Sequence, residues 1–221
     1  MQDYVHYSEL RQLTYNIAAL QQEKRFHSLA VLSFFPAEGK TLLCAALASA
    51  YAETCRSKVL VVDTATYHNK GSLALGDCLG QSASMVDVKS LDALRKNGLS
   101  RLLLSSGTPP PMGKAPEVEP EVVQAVPPRA SPPPDNDFAI LKNVADQASR
   151  EYGLVLMDTA PLNAKNKSNI DPLLVARLAD ASVLVVSRKF LEAGNMNSSL
   201  KVLQDPALHL LGLISNEAFA Q

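Results

Sequence analysis

Gly39, Lys40 and Thr41 stand in a row between a short apolar run, "LAVLSF" at 29–34, and a long apolar segment, "LLCAALASAYAE" at 42–53. A strand that turns tightly into a helix leaves main-chain N–H groups unpaired at the helix start, where the helix dipole adds partial positive charge. Phosphate fits such a place. There Gly39 lets the backbone approach closely, Lys40 supplies a point charge for the outer phosphates, and the Thr41 hydroxyl is the expected magnesium ligand. The expected nucleotide-binding segment is therefore Pro36, Ala37, Glu38, Gly39, Lys40, Thr41 and Leu42. Phe34 stands where the common G-x-x-x-x-G-K-[ST] pattern has its first glycine, and Pro36 removes one donor. A positive φ at Ala37 would cost roughly 1 to 2 kcal/mol, too little to abolish binding.

Two carboxylates complete the chemistry. Asp63 ends "KVLVVD" and Asp158 ends "GLVLMD", so both emerge at carboxyl ends of strands, where open α/β sheets place their ligands. With Thr41 and the β- and γ-phosphates they make an oxygen shell suited to magnesium. ATP and Mg2+ are the expected cofactors, Thr41, Asp63 and Asp158 the metal ligands, and Lys40, Asp63 and Asp158 the catalytic groups. A strand-terminal aspartate is also a common turn starter, so the assignment rests on finding both together with the loop.

These residues need a scaffold. The apolar runs at 29–34, 58–63, 101–106 ("RLLLSS"), 153–158, 181–187 ("ASVLVVS") and 208–215 ("LHLLGLIS") are too continuous for half-exposed strands and suit a sheet covered on both faces. Helical faces lie between them. Leu10, Leu13, Ile17 and Leu20 share one; Phe138, Leu141, Val144 and Ala148 share another, with Asp137 placed to cap it; Met196, Leu200 and Leu203 form a third. Strands alternating with helices predict an α/β fold, a doubly wound, mainly parallel sheet of the P-loop NTPase kind in three layers. The spacing predicts an N-terminal helix within 1–25 and an ATPase-like domain over 26–221. Ten of the fourteen prolines fall in "PPPMGKAPEVEPEVVQAVPPRASPPP", which predicts a disordered insertion over 108–136 that joins no ladder.

Composition narrows the classes. The chain has 221 residues, 47% of them apolar, enough for one sizeable core. No stretch of 18 or more apolar residues occurs, and "MQDYVHYSEL" has neither a basic region nor an apolar core, so neither secretion nor membrane spanning is expected. Cys44, Cys55 and Cys78 lack metal spacing and fit a reducing cytoplasm. With 21 basic against 22 acidic residues, no bulk charge favours nucleic acid. His6, His27, His68 and His209 are scattered, and Lys165 and Lys167, beside Asn163 and Asn166, read as a solvated loop.

The chain outside the proline-rich stretch resembles the bacterial tyrosine kinases of capsule and exopolysaccharide export, a branch of the ParA/MinD-like partition-type P-loop ATPases. "SFFPAEGKT" is similar to the family loop S-x-x-P-G-x-G-K-[ST], with Ala37 for a glycine and Phe34 where the family itself often lacks one. "YGLVLMDTAPL" resembles the Walker B segment, "IDPLLVARLADASVLVVS" the stretch with aspartates matched by Asp171 and Asp180, and "LLGLISN" the last strand. The resemblance implies that Asn216 contacts the base. "SELRQLTYNI" resembles the ring-forming E-x-x-R-x-x-R-T-N helix, keeping Arg11 and Asn16 but carrying Ser8 and Thr14 in place of a glutamate and an arginine.

Where the family carries D-x-D after the second strand, this chain has Asp63 and then Ala65, and "NEAFAQ" holds no tyrosine cluster. The resemblance therefore implies a degenerate relative. A general base contributes typically 100-fold to 10,000-fold to rate, so its loss slows chemistry more than binding. Three readings follow. The leading one is a cytoplasmic ATP-binding regulator of exopolysaccharide or capsule polymerisation and export. It is held peripherally at the inner membrane by the cytoplasmic part of a polysaccharide co-polymerase (chain-length determinant), as a monomer or homo-oligomer, with no nucleic acid partner. The second is an active tyrosine kinase using Tyr4, Tyr7 or a partner's tyrosine, or a slow ATPase. The third is a partition ATPase, a class that carries a lysine early in its loop where this chain has Phe35.

Overall fold

The computed structural model describes residues 8–64, 78, 101–103, 121–126, 137–163, 170–187 and 204–216. The described elements are α1 (Ser8–Lys24), β1 (Ser28–Ser33), α2 (Lys40–Cys55), β2 (Val59–Asp63), β3 (Arg101–Leu103), β4 (Glu121–Val126), α3 (Asp137–Ala148), β5 (Leu154–Asp158), α4 (Pro172–Leu178), β6 (Ala181–Ser187) and β7 (Leu210–Asn216). They form a seven-stranded sheet in the order β3-β4-β2-β5-β1-β6-β7. Every pairing is parallel except β3 with β4.

The side-chain period of two divides each central strand between two cores. Ala30 and Leu32 of β1, Leu60 and Val62 of β2, and Val155 and Met157 of β5 pack on one side with Leu141 and Ala145 of α3 and Val175 of α4. Leu29, Val31, Val59, Val61, Leu154 and Leu156 pack on the other with Leu47, Ala48 and Tyr51 of α2 and Ile17 of α1. Burying both faces of the same strands demands continuous apolar runs, as the sequence has, and yields three layers. Alanines at 45, 48, 50 and 52 let α2 lie close against the sheet. Gly153 is required by a close approach: a Cβ there would lie 1.9 Å from Ser57 Oγ, while its N–H donates to the Lys58 carbonyl at 2.9 Å.

One expectation is corrected. Residues 121–126 lie within the stretch expected to join no ladder, yet β4 pairs in parallel with β2, Val61 opposite Val122 and Asp63 opposite Gln124. The reason lies in where the prolines stop. "EVVQAV" has a donor at every position and three valines, and Pro120 and Pro127 sit just outside the strand, where a missing N–H costs no ladder bond. The remainder of 108–136 lies outside the described residues, as do the expected helix around Met196, Leu200 and Leu203, and Ala65, Lys165, Asn166 and Lys167. No helix among the described residues is long and apolar enough to cross a membrane.

Candidate phosphate-binding site

β1 ends at Ser33, and after the intervening residues 34–39 α2 begins at Lys40. The turn between them closes through two left-handed residues, Ala37 at φ 62° and Gly39 at φ 86°. Gly39 pays nothing for this; Ala37 carries the strain of a Cβ in that region. Gly39 precedes the helix without any side-chain cap, and the first helical bond runs from the Leu43 N–H to the Gly39 carbonyl at 2.9 Å. The amides of Lys40, Thr41 and Leu42 thus precede the first helical donor, Leu43 N–H, and, with the dipole behind them, form an anion cradle. Pro36 and Ala37 are exposed at the tip, while Thr41 and Leu42 are half-buried.

Lys40 is only 7% exposed, and its Nζ donates to Ser33 Oγ at 2.8 Å. Ser33 in turn donates to the Phe35 carbonyl at 2.9 Å, so the lysine is steered by a hydroxyl fixed at the strand end. Burial pulls Lys40 below its ordinary basicity, opposed mainly by the charge of Asp158 and then by Cys44 and Glu38. A buried ammonium in this position is a group that an incoming phosphate would stabilise. The neighbouring Cys44 thiol is pushed well up by burial and next by Asp158, which keeps it an inert packing group.

Asp63 and Asp158 lie directly opposite each other on adjacent parallel strands, both fully buried. Thr64 pins the Asp158 carbonyl through its N–H at 2.9 Å and its hydroxyl at 2.7 Å, and the Thr159 hydroxyl donates to Val31 O at 2.7 Å. Beyond β5 the chain turns back along the loop, Leu162 N–H donating to Ser33 O at 2.8 Å and Asn163 N–H to Phe34 O at 3.1 Å. Lys40, Asp63 and Asp158 are therefore brought together at the carboxyl ends of β1, β2 and β5, with Thr41 on the first turn of α2. Magnesium characteristically takes one or two carboxylates, a hydroxyl and phosphate oxygens, and this donor set fits it. No cluster of three or more His, Cys, Asp or Glu that could hold a metal ion occurs among the described residues.

Other expected residues have different surroundings. The Asn216 amide, at the end of β7, donates to the Glu38 carbonyl at 3.0 Å. Asp171 caps α4, accepting from Leu173 N–H at 2.9 Å. Asp180 lies at the opposite end of the sheet, where its Oδ2 accepts from His27 N–H, Ser28 N–H and Ser28 Oγ, each at 2.9 Å. Ser33, Thr64, Thr159 and the side chain of Glu38 were not singled out by sequence reasoning; the one available signal was an acidic residue inside a loop built for anions.

No family profile matches the sequence, and no curated protein matches it. Solved structures do. The kinase domain of Escherichia coli tyrosine kinase ETK superposes with a TM-score of 0.61 at 19% identity, over 96% of this chain and 75% of that one. The VpsO kinase domain gives 0.58 at 18% identity, over 95% of this chain and 94% of that one. The septum site-determining protein MinD from Pyrococcus horikoshii, solved in complex with Mg-ADP, gives 0.51 at 16%, over 88% and 72%. At such identities the likeness shows the fold alone: a mainly parallel α/β sheet covered by helices, of the kind seen in these kinase domains and in MinD.

Proposed function

We propose that the chain binds ATP with magnesium at the 36–42 loop and serves as a nucleotide-dependent regulator of exopolysaccharide or capsule polymerisation and export, a kinase-like protein with slowed chemistry. The observation that carries the nucleotide reading is the convergence of a buried Lys40, a left-handed Gly39 at a helix start and the adjacent Asp63 and Asp158. Lys40 would meet the outer phosphates, Thr41 and the two aspartates would hold the metal, and the 40–42 amides would cradle the inner phosphates. Magnesium held by Thr41, Asp63 and Asp158 would supply neutralisation of the negative charge on the phosphates. The regulatory role rests on the motif resemblance and on the fold shared with tyrosine kinase domains. It predicts a cytoplasmic protein docked on the cytoplasmic part of a polysaccharide co-polymerase.

Calorimetric titration with Mg-ATP tests the first step, and absence of heat in the wild type would refute it. Nucleotide-dependent capture by the cytoplasmic ends of such a transporter tests the second; equal capture with and without ATP counts against regulation. A second reading, protein-tyrosine kinase activity, has one structural observation in its favour, since Tyr15 on α1 is 58% exposed. Phosphotyrosine that disappears in Lys40→Ala would establish it.

A further inference from the structure

We propose that Glu38 is a specificity-determining residue of the phosphate loop, a fixed internal carboxylate that biases the site toward nucleoside diphosphate and against triphosphate. The inference rests on the nucleotide reading of the loop. Glu38 is 3% exposed, and both of its oxygens are used: Oε2 accepts from Phe35 N–H at 2.9 Å, and Oε1 accepts from Ser187 N–H at 3.2 Å and Ser187 Oγ at 3.0 Å. Accepting at both oxygens is the pattern of a carboxylate anion. Its main-chain carbonyl is held as well, by the Asn216 amide at 3.0 Å. The residue is thereby anchored to the ends of β6 and β7 and cannot swing into solvent without breaking these bonds.

A loop of this kind ordinarily offers donors and positive charge to phosphate. Here a negative charge is built into it two residues before Lys40, close enough to act on the lysine. Glu38 and Lys40 are 3% and 7% exposed, so phosphates seated beside Lys40 would meet that charge with less screening than at an exposed surface. Magnesium complexes of a triphosphate and a diphosphate differ by one unit of charge. At a separation of about 10 Å and an effective dielectric constant of about 20, one unit changes the affinity ratio roughly tenfold. A neutral residue at 38 imposes no such bias, so the free chain would rest with diphosphate and need a high triphosphate level, or a partner, to exchange it.

The test is calorimetric titration of the full chain with Mg-ADP and with the Mg complex of a non-hydrolysable ATP analogue. The proteins are the wild type, Glu38→Gln, Glu38→Ala and Glu38→Asp. The preference for diphosphate is expected to fall roughly tenfold in Glu38→Gln and Glu38→Ala and to persist in Glu38→Asp, which keeps the charge. Glutamine must turn its amide nitrogen toward a donor, Phe35 or Ser187; alanine creates no such clash and keeps the comparison decisive. A purely structural role would weaken both nucleotides alike, so an unchanged ratio in variants that still bind overturns the proposal while the nucleotide reading survives. A wild type that binds neither nucleotide overturns both.

Discussion

Replacing Ala37 by glycine isolates the strain in the loop. Ala37 sits at φ 62°, where an L-residue with a Cβ loses roughly 1 to 2 kcal/mol. Glycine removes that penalty but gives the unfolded chain more freedom, which returns about 0.4 to 1 kcal/mol. The difference predicts that Ala37→Gly stabilises the protein by about 0.5 to 1 kcal/mol, or roughly 1 to 4 °C in melting temperature for a chain of this size. Gly39, at φ 86°, supplies the opposite control, and Gly39→Ala should lower the melting temperature by a comparable amount. Both variants can be followed by thermal melting and by urea unfolding, where a shifted midpoint with an unchanged slope marks a change in stability alone. The exposed position of Ala37 keeps the comparison free of repacking. A melting temperature that falls in Ala37→Gly would refute the reasoning, because it would mean that the methyl group contributes more than its backbone conformation costs.

Lys40→Ala should leave a folded protein that no longer gains thermal stability from Mg-ATP, whereas the wild type should gain about 2.7 kcal/mol at one hundred times its dissociation constant. Lys40 also sets a pH dependence. Its folded pKa lies below its unfolded value of 10.5, so between the two the unfolded chain holds more protons, and the nucleotide-free protein should gain stability from this residue as pH rises through that window. The wild type minus Lys40→Met difference in urea unfolding, taken from pH 7 to 10, should therefore grow in favour of the wild type; a flat difference contradicts it. Gly153→Ala, which drives a Cβ to 1.9 Å from Ser57 Oγ, should destabilise by about 1 to 3 kcal/mol in the same assay. Turnover measured in Ala65→Asp should exceed that of the wild type if the absent second carboxylate limits the chemistry, and equal turnover would assign the limit elsewhere.

The central strands were legible because a strand buried on both faces has no polar positions to spare, and "KVLVVD", "GLVLMD" and "ASVLVVS" fall within a residue of the observed β2, β5 and β6. The neighbouring ends of two such strands also made Asp63 and Asp158 readable as a pair. β4 was hidden because its six residues sit among prolines, whose local signal outweighs a short run of valines. α4, at seven residues, is too short to show a helical period. The roles of Glu38 and Asp180 depend on partners 149 and 152 residues away, and no local pattern reports contacts at that distance.

Those distances bear on how the protein emerges from the ribosome. The Gly39–Lys40–Thr41 turn is made early, but Thr159, which fastens β5 to β1, follows 128 residues after its partner Val31, and Ser187, which holds Glu38, follows 149 residues after its partner. At a synthesis rate of about 5 to 20 residues per second, the nascent loop waits on the order of ten seconds for the strands that shape it. A chain arrested before β5 would therefore carry the motif without a working cradle, and nucleotide capture would mark completion of the C-terminal half.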